Sequence, residues 1–260
     1  MTKLLHTTSY GEPGGVPLVV AHGLFGSGRN WRTLARQWSV KRHVVCVDMR
    51  NHGASFWSDR MDYPVMADDL AAVIDALGGS ADVLGHSMGG KAAMTLAVTY
   101  PERVRTLMVA DIAPVTYTHT QLPVIEAMGL LDLASVARRS QAQKALTELT
   151  GDAGLGAFLT QSLDFGAQGA RWALNLDALA KNMDAIIGFP NGLGQYTGPT
   201  FFIRGGSSDY VTRDHATAIG THFPHVHSKT LEGAGHWLHA EQPAEFVAAI
   251  DRFLSRTTGD

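Results

Sequence analysis

Five residues of the chain, Gly85-His86-Ser87-Met88-Gly89, place a serine between two glycines at a spacing that suits nucleophilic chemistry. An apolar run precedes them and a helix-forming run follows, so the sequence predicts a strand, a sharp turn and a helix. Such a turn holds the serine in strained backbone torsions and keeps its hydroxyl clear of neighbouring side chains. Because the serine also begins a helix, N–H groups and the helix dipole favour negative charge beside it. We therefore predict that Ser87 is a nucleophile.

An ordinary Gly/Ser turn has the same five letters, so the prediction depends on the partners of Ser87. A nucleophilic serine needs a base. We assign this role to His236, which follows the last predicted strand in the glycine-rich segment 232–237. His239 is the nearest rival, but it lies close to the next predicted helix and lacks the glycine approach. A histidine that only caps the loop by a hydrogen bond is the alternative.

Attack on a carbonyl creates an oxyanion that N–H donors must hold. One donor is the residue after the nucleophile, Met88, and the other comes from the loop after an early strand. The segment His22-Gly23-Leu24 ends the predicted strand 18–21, which makes Leu24 the expected second donor. A tight strand exit without this role would have the same residues.

The chain has 260 residues, a formal net charge of −3 and a single cysteine. This length suits one large α/β domain, or a domain with an insertion. The charge indicates no basic surface for nucleic acid, and one cysteine excludes an internal disulfide. Residues 1–6 lack the apolar core of a signal peptide, and no segment reaches the roughly 20 apolar residues of a membrane span. We therefore expect a cytoplasmic protein without a nucleic-acid or membrane partner.

Short β-rich runs alternate with helical patterns, which is typical of a mostly parallel sheet covered by helices on both faces. From Pro114 to about Asn191 the strand pattern disappears, and glycines interrupt a series of helical patterns. Such a block is typical of a helical insertion over the carboxyl ends of the strands. The sequence therefore predicts an α/β core of residues 1–113 and 192–260 and a helical cap (lid) of residues 114–191.

Five segments carry motifs that are more specific than Gly-x-Ser-x-Gly when taken together: His22–Ser27, Asp48–Ser55, Gly85–Lys91, Asp111–Val115 and Gly233–Ala240. They resemble the YbfF-type bacterial esterases, which are serine esterases with the α/β-hydrolase fold. The resemblance covers nearly the whole chain outside the helical block. It implies a carboxylic-ester or thioester hydrolase with a helical cap and with no metal or organic cofactor.

The sequence leaves two candidates, Asp111 and Asp209, for the carboxylate that orients the base. In most α/β hydrolases it lies three residues after the glycine that ends the next-to-last strand, and an aliphatic residue follows three further on. Counting from Gly205 gives Ser208 in the acid position and Val211 in the aliphatic one. Counting from Gly206 gives Asp209, but the aliphatic position then falls on a threonine.

The first count leaves the acid position to a serine, so the carboxylate must come from elsewhere. Asp111, at the end of the preceding strand, can reach the same histidine. The family resemblance points the same way, with Ser208 as a supporting hydrogen-bond partner. We favour Asp111 and keep Asp209 as the alternative acid. The alternative for Asp111 is a strand-end aspartate that only caps the following turn. The alternative for Asp209 is a solvated loop carboxylate.

These assignments predict a carboxylesterase that forms an acyl-enzyme on its serine and accepts short-to-medium acyl chains, with acyl thioesters as further substrates. The expected partner is a small-molecule ester or thioester, and the expected state is a monomer or homodimer. Apolar side chains near the nucleophile and in the helical block would set the acyl preference. The expected substrate contacts are Phe25, His86, Phe158 and Trp172, with Met128, Leu130 and Leu131 as further candidates.

Other functions remain open at this stage. A ligand-binding protein could retain a vestigial triad, and perhydrolases or carbon–carbon hydrolases use the same triad. A metal hydrolase could use His225 and His227, but no paired Asp, Glu or Cys joins them. Dehalogenases and epoxide hydrolases of this fold are excluded, because their nucleophile is an aspartate. Asp48, Arg50 and Ser55 look like a second catalytic set, but buried loop hydrogen bonding explains them better.

Overall fold

The computed structural model describes residues 3–167 and 169–258, so residues 1, 2, 168, 259 and 260 of the predicted domains lie outside it. Its strands are β1 (Thr7–Tyr10), β2 (Leu18–Ala21), β3 (Val44–Val47), β4 (Ala81–His86), β5 (Val104–Ala110), β6 (Leu163–Gly166), β7 (Gly169–Trp172), β8 (Thr200–Gly205) and β9 (Val226–Leu231). Seven of them form one sheet in the order β1-β3-β2-β4-β5-β8-β9. Only β1 pairs antiparallel in it, so the predicted mostly parallel sheet is confirmed.

Helices cover both faces of this sheet. The α-helices of the described residues are α1 (Arg32–Trp38), α2 (Tyr63–Ala76), α3 (Met88–Thr99), α4 (Leu122–Leu130), α5 (Arg139–Thr150), α6 (Ala153–Leu159), α7 (Leu176–Lys181), α8 (Met183–Ile187), α9 (Ala216–His222), α10 (Leu238–Glu241) and α11 (Pro243–Thr258). None of the helices in the described residues is long and apolar enough to cross a membrane.

The strands β2 and β3 are apolar at every position because both faces of the sheet are covered. Within β2, Leu18 and Val20 belong to the core cluster that α1 and α11 complete, where Trp38 and Phe246 pack. The alternate residue Val19 belongs to the cluster on the α2 and α3 face. This period of two sends neighbouring side chains to opposite faces. The sheet is therefore a rigid platform whose carboxyl edge can present polar residues.

The chain between β5 and β8 forms an insertion of five helices, α4 to α8, and the hairpin of β6 and β7. The prediction that this block lacks strands was wrong for the hairpin. Each of its strands has four residues with a glycine at the turn end, which is too short to show a period of two. The antiparallel strand β1 was also missed, because its residues are polar and mostly exposed.

The loop after β3 is anchored to α2 by a buried ion pair. Arg50 donates from Nε and Nη2 to the two carboxylate oxygens of Asp69, at 2.6 and 2.8 Å. The guanidinium also donates to the carbonyl oxygens of Arg60 and Val65, at 2.8 and 3.3 Å. Both charged side chains are less than a tenth exposed. Removing one partner of such a pair leaves an uncompensated buried charge.

We therefore expect Asp69→Ala to lower the free energy of unfolding by about 3–5 kcal/mol. Urea denaturation followed by circular dichroism measures this loss. The matched control is Asp68→Ala, because Asp68 is exposed on the same helix and accepts a hydrogen bond from Tyr100. We expect the control to lose no more than about 1 kcal/mol. Equal losses in the two variants would contradict the role of the buried pair.

Candidate active site

Ser87 lies in the turn between β4 and α3 with φ 52° and ψ −121°. A positive φ is rare for a serine, so the surrounding structure must hold it in place. A Cβ at Gly89 would lie 2.5 Å from the carbonyl oxygen of His22, so the first turn of α3 lies directly against the end of β2. Only glycine allows this approach. The predicted strand, sharp turn and helix are therefore present around Ser87.

The imidazole of His236 is oriented by a carboxylate. Its Nδ1 donates to Oδ2 of Asp111 at 2.8 Å, which leaves Nε2 free to accept a proton. Ser87 and His236 line the same cavity. Among the described residues, the Ser87 hydroxyl makes no hydrogen bond with His236, and catalytic hydrogen bonds are often long when no substrate is bound.

Asp111 ends β5 with φ 52°, and its side chain is fully buried. Its Oδ1 accepts a hydrogen bond from the Gly205 N–H at 3.0 Å. Its Oδ2 accepts from the Ser208 hydroxyl as well as from His236. Asp209 is exposed to solvent. The structure thus brings Asp111 and Ser208 to the histidine and leaves Asp209 at the surface.

Leu24 and Met88 both line the cavity beside Ser87. A Cβ at Gly23 would lie 3.1 Å from the Cβ of Ser87, so the turn after β2 approaches the nucleophile closely. Met88 is the first residue of α3, where the N–H lies outside the ladder of helical hydrogen bonds. Both residues predicted to form the oxyanion hole therefore lie at the cavity that Ser87 lines.

Two buried histidines hold the turn that carries Leu24. His22 accepts from the Met49 N–H at Nε2 (2.9 Å), and its Nδ1 bonds the next carbonyl oxygen at 2.7 Å. His52 accepts from the Phe25 N–H at Nε2 (3.2 Å) and bonds a carbonyl oxygen through Nδ1. Burial lowers the pKa of His22 to about 4 and that of His52 to about 3. Both rings are therefore neutral at pH 7, and each donates from Nδ1.

The cavity has a volume of about 240 Å³. Three of the four predicted substrate contacts line it: Phe25, His86 and Phe158. Trp172 does not line it, which corrects the prediction. Its indole N–H donates to the carbonyl oxygen of Met128 at 3.2 Å, so the ring packs within the insertion.

The further candidates of the insertion also lie away from the cavity. Met128 and Leu131 are buried within the insertion, and Leu130 is 72% exposed. Apolar residues in a helical block were predicted to face the nucleophile, but most of them form the core of the insertion itself.

Sequence analysis missed two tyrosines and a lysine. The ring of Tyr210 stacks on His236 with centroids 3.9 Å apart. The Tyr117 hydroxyl donates to the Tyr210 carbonyl oxygen at 2.5 Å and accepts from the Ala113 N–H at 2.9 Å. Lys91 also lines the cavity. Lys91 could have been noticed in the sequence, because it is a charged residue in an otherwise uncharged helix, one turn after Ser87. No sequence pattern marks the two tyrosines.

In the described residues, no three or more His, Cys, Asp or Glu side chains are grouped so that they could hold a metal ion. His225 and His227 are exposed, at the amino end of the edge strand β9. Ser87 follows the carboxyl end of a parallel strand, so these histidines lie at the other end of the strands from Ser87. The arrangement around Ser87 suits acyl transfer: a nucleophile, an oriented base and two N–H donors.

Comparisons with known proteins agree with this chemistry. A model of the alpha/beta hydrolase family matches residues 18–249. The chain is 39% identical to the sn-1-specific diacylglycerol lipase ABHD11 of Mus musculus, over 92% of this chain and 80% of the relative. It is 34% identical to esterase YbfF of Escherichia coli (strain K12), over 95% of this chain and 96% of the relative. A solved marine microorganism esterase superposes with a TM-score of 0.92 at 34% identity, covering 97% of this chain and 100% of that one.

The hydrogen bond from His236 generates a prediction about the acid. We expect Asp111→Asn to slow the labelling of Ser87 by a fluorophosphonate by about 10³–10⁴-fold, because the amide no longer favours the required imidazole tautomer. The rate is measured by intact and peptide mass spectrometry. The control is Asp209→Asn, which should label within about twofold of the wild type. The reverse order of the two variants would overturn the assignment.

The buried neutral histidines predict an acid-sensitive fold. The pKa of His52 is about 3 in the folded protein against 6.5 for a free imidazole, so the unfolded chain binds the proton first as the pH falls. Stability is therefore lost as the pH falls from about 6.5 towards 3. The glutamine of His52→Gln binds no proton. We therefore expect the slope of the free energy of unfolding against pH to be smaller in this variant than in the wild type, by about 1.4 kcal/mol per pH unit.

Urea denaturation at several pH values between 6 and 4 gives this slope. The control is His225→Gln, which removes an exposed histidine and should keep the wild-type slope. An unchanged slope in His52→Gln would show that this histidine is not held neutral in the fold.

Proposed function

The chain belongs to the alpha/beta hydrolase family, and on that premise we propose that it is a serine carboxylesterase that forms an acyl-enzyme on Ser87. The observation that carries the proposal is the 2.8 Å hydrogen bond from His236 to the buried Asp111, beside the cavity that Ser87 lines. Turnover needs a base that is oriented in this way, whereas ligand binding alone does not. The esterase and lipase names of the relatives support hydrolysis of carboxylic esters.

In the proposed mechanism, Nε2 of His236 takes the proton of the Ser87 hydroxyl while the Ser87 Oγ attacks the ester carbonyl carbon. The N–H groups of Leu24 and Met88 hold the oxyanion, and Asp111 stabilises the imidazolium. The imidazolium then gives its proton to the leaving alcohol, or to the thiol of a thioester. Water, activated by the same histidine, releases the acid from the acyl-enzyme.

We propose that residues 114–191 act as a cap over the core of residues 1–113 and 192–260. Seven of the described residues of this segment line the cavity and support this role, among them Phe158, Ile186 and Ile187. No carboxylate lines the described wall of the cavity, and most of its lining is apolar or aromatic. These features favour an uncharged ester with a short-to-medium acyl chain. The cytoplasmic location and the monomeric or homodimeric state stay predictions from the sequence.

The test is hydrolysis of p-nitrophenyl esters from acetate to decanoate, together with one acyl thioester. We expect Ser87→Ala and His236→Ala each to lower kcat by about 10⁴-fold or more, because each removes a member of one catalytic unit. The control is Ser207→Ala, an exposed serine of the loop after β8, which should keep the wild-type rate. Wild-type turnover in Ser87→Ala would contradict the mechanism. A wild type that binds esters without turnover or fluorophosphonate labelling would favour the ligand-binding alternative.

A further inference from the structure

Lys91 is a buried lysine in the wall of the cavity. It is 1% exposed and lies one helical turn after Ser87 on α3. Its Nζ donates to three backbone carbonyl oxygens: those of Val115 at 2.8 Å, Ile187 at 2.8 Å and Gly188 at 2.6 Å. An ammonium has three N–H donors, so all of them are engaged.

The three carbonyl groups belong to the two connections between the insertion and the core. Residues 115–117 form the entry connection, which follows β5. Residues 186–188 form the exit connection, which ends α8. The Tyr117 N–H donates to the Ile187 carbonyl oxygen at 3.0 Å, so the two connections also touch each other. Lys91 thus ties both connections to the helix that begins at the nucleophile.

Aromatic rings and backbone dipoles stabilise this buried charge, and no carboxylate is among its described partners. The ring centroids of Tyr117 and Tyr63 lie 4.6 and 5.7 Å from Nζ, within reach of a cation–π interaction. The Tyr63 hydroxyl donates to the Ile186 carbonyl oxygen at 2.5 Å and so supports the exit connection from α2. Burial lowers the pKa of Lys91 to about 7, but three carbonyl oxygens at 2.6–2.8 Å require three N–H donors, so this geometry is that of the ammonium. A methionine would fill this volume without the desolvation penalty, so packing alone does not require a lysine here. What a lysine adds is the N–H donors for the three carbonyl oxygens.

The connections form part of the cavity wall. Tyr117, Ile186 and Ile187 all line the cavity. The Tyr117 hydroxyl donates to the Tyr210 carbonyl oxygen, and the Tyr210 ring stacks on His236. The position of the entry connection is therefore transmitted to the ring that packs on the base.

We propose that Lys91 is a positioning residue that sets acyl-chain specificity, because its ammonium fixes the two connections and thereby the width of the cavity. The inference rests on the proposed ester hydrolysis and names what limits the substrate there. Direct binding of a substrate carboxylate by Lys91 is disfavoured, because such a group would have to displace one of the three carbonyl oxygens.

The test compares Lys91→Met with the wild type on p-nitrophenyl acetate and decanoate. The variant removes the donor of the Val115 and Gly188 carbonyl groups and leaves Ile187 with only the Tyr117 N–H, so the connections must separate or admit water. We expect kcat/KM for decanoate relative to acetate to rise at least about tenfold, through a lower KM for decanoate. The prediction concerns this ratio and not the absolute rate on acetate, because the entry connection also contacts Tyr210, whose ring packs on His236. The matched control is Lys144→Met, an exposed lysine of the insertion, which should keep the wild-type ratio.

A folded Lys91→Met whose ratio is unchanged or falls would overturn the proposal, and so would an equal loss of rate on both esters. If this variant does not fold, Tyr63→Phe replaces it, since it keeps the ring and loses only the hydroxyl that holds the exit connection. A rise of about threefold is then expected, and an unchanged ratio overturns the proposal.

A second measurement separates this proposal from the proposed function. If the wild type hydrolyses no ester, the proposed function fails, but amide hydrogen exchange still reports on the connections. We expect the amides of residues 115–117 and 186–188 to exchange at least about tenfold faster in Lys91→Met than in the wild type. Unchanged exchange in these two segments would overturn the role of Lys91 in fixing them.

Discussion

The close approach of three backbone segments around Ser87 is the constraint on which the rest of the site depends. The end of β2, the end of β4 and the start of α3 meet where Gly23 and Gly89 leave no room for a Cβ. This contact forces the nucleophile into a positive φ, a conformation that costs about 1–3 kcal/mol. The buried parallel strands offset that cost, because they cannot move apart without exposing the core. The same contact brings Leu24 to the cavity that Ser87 lines.

The environment of each histidine, rather than its chemistry, decides its role in this site. Burial lowers the pKa of His22, His52, His86 and His239, so these rings serve as neutral hydrogen-bond partners or packing groups at pH 7. His239, the rival base, stacks on Trp31. His236 is the histidine that has a buried carboxylate at Nδ1. The buried carboxylate therefore orients one imidazole of the cluster, and burial keeps its neighbours neutral.

The parts of the site that depend on local sequence could be predicted, and those that depend on distant contacts could not. Ser87 and Asp111 each end a parallel strand, and such strand ends converge at one edge of the sheet, so their proximity follows from the fold class. Asp209 stayed the alternative acid after the residue count and the family resemblance, since exposure is not visible in a sequence. The partnership of Tyr117 and Tyr210 spans 93 positions and has no periodic signal. Trp172 was misassigned because an apolar residue in the insertion can face the cavity or the core of the insertion itself.

The convergence of both connections on α3 also bears on how such an enzyme can change over time. The insertion leaves and rejoins the core at neighbouring points, as the 3.0 Å contact between Tyr117 and Ile187 shows. A segment whose two ends meet can be lengthened, shortened or exchanged without moving the sheet that carries the nucleophile. Apart from the links through Lys91 and Tyr117, selection can therefore act separately on the insertion and on the catalytic residues. A new substrate range then requires substitutions in the insertion, while the catalytic residues stay the same.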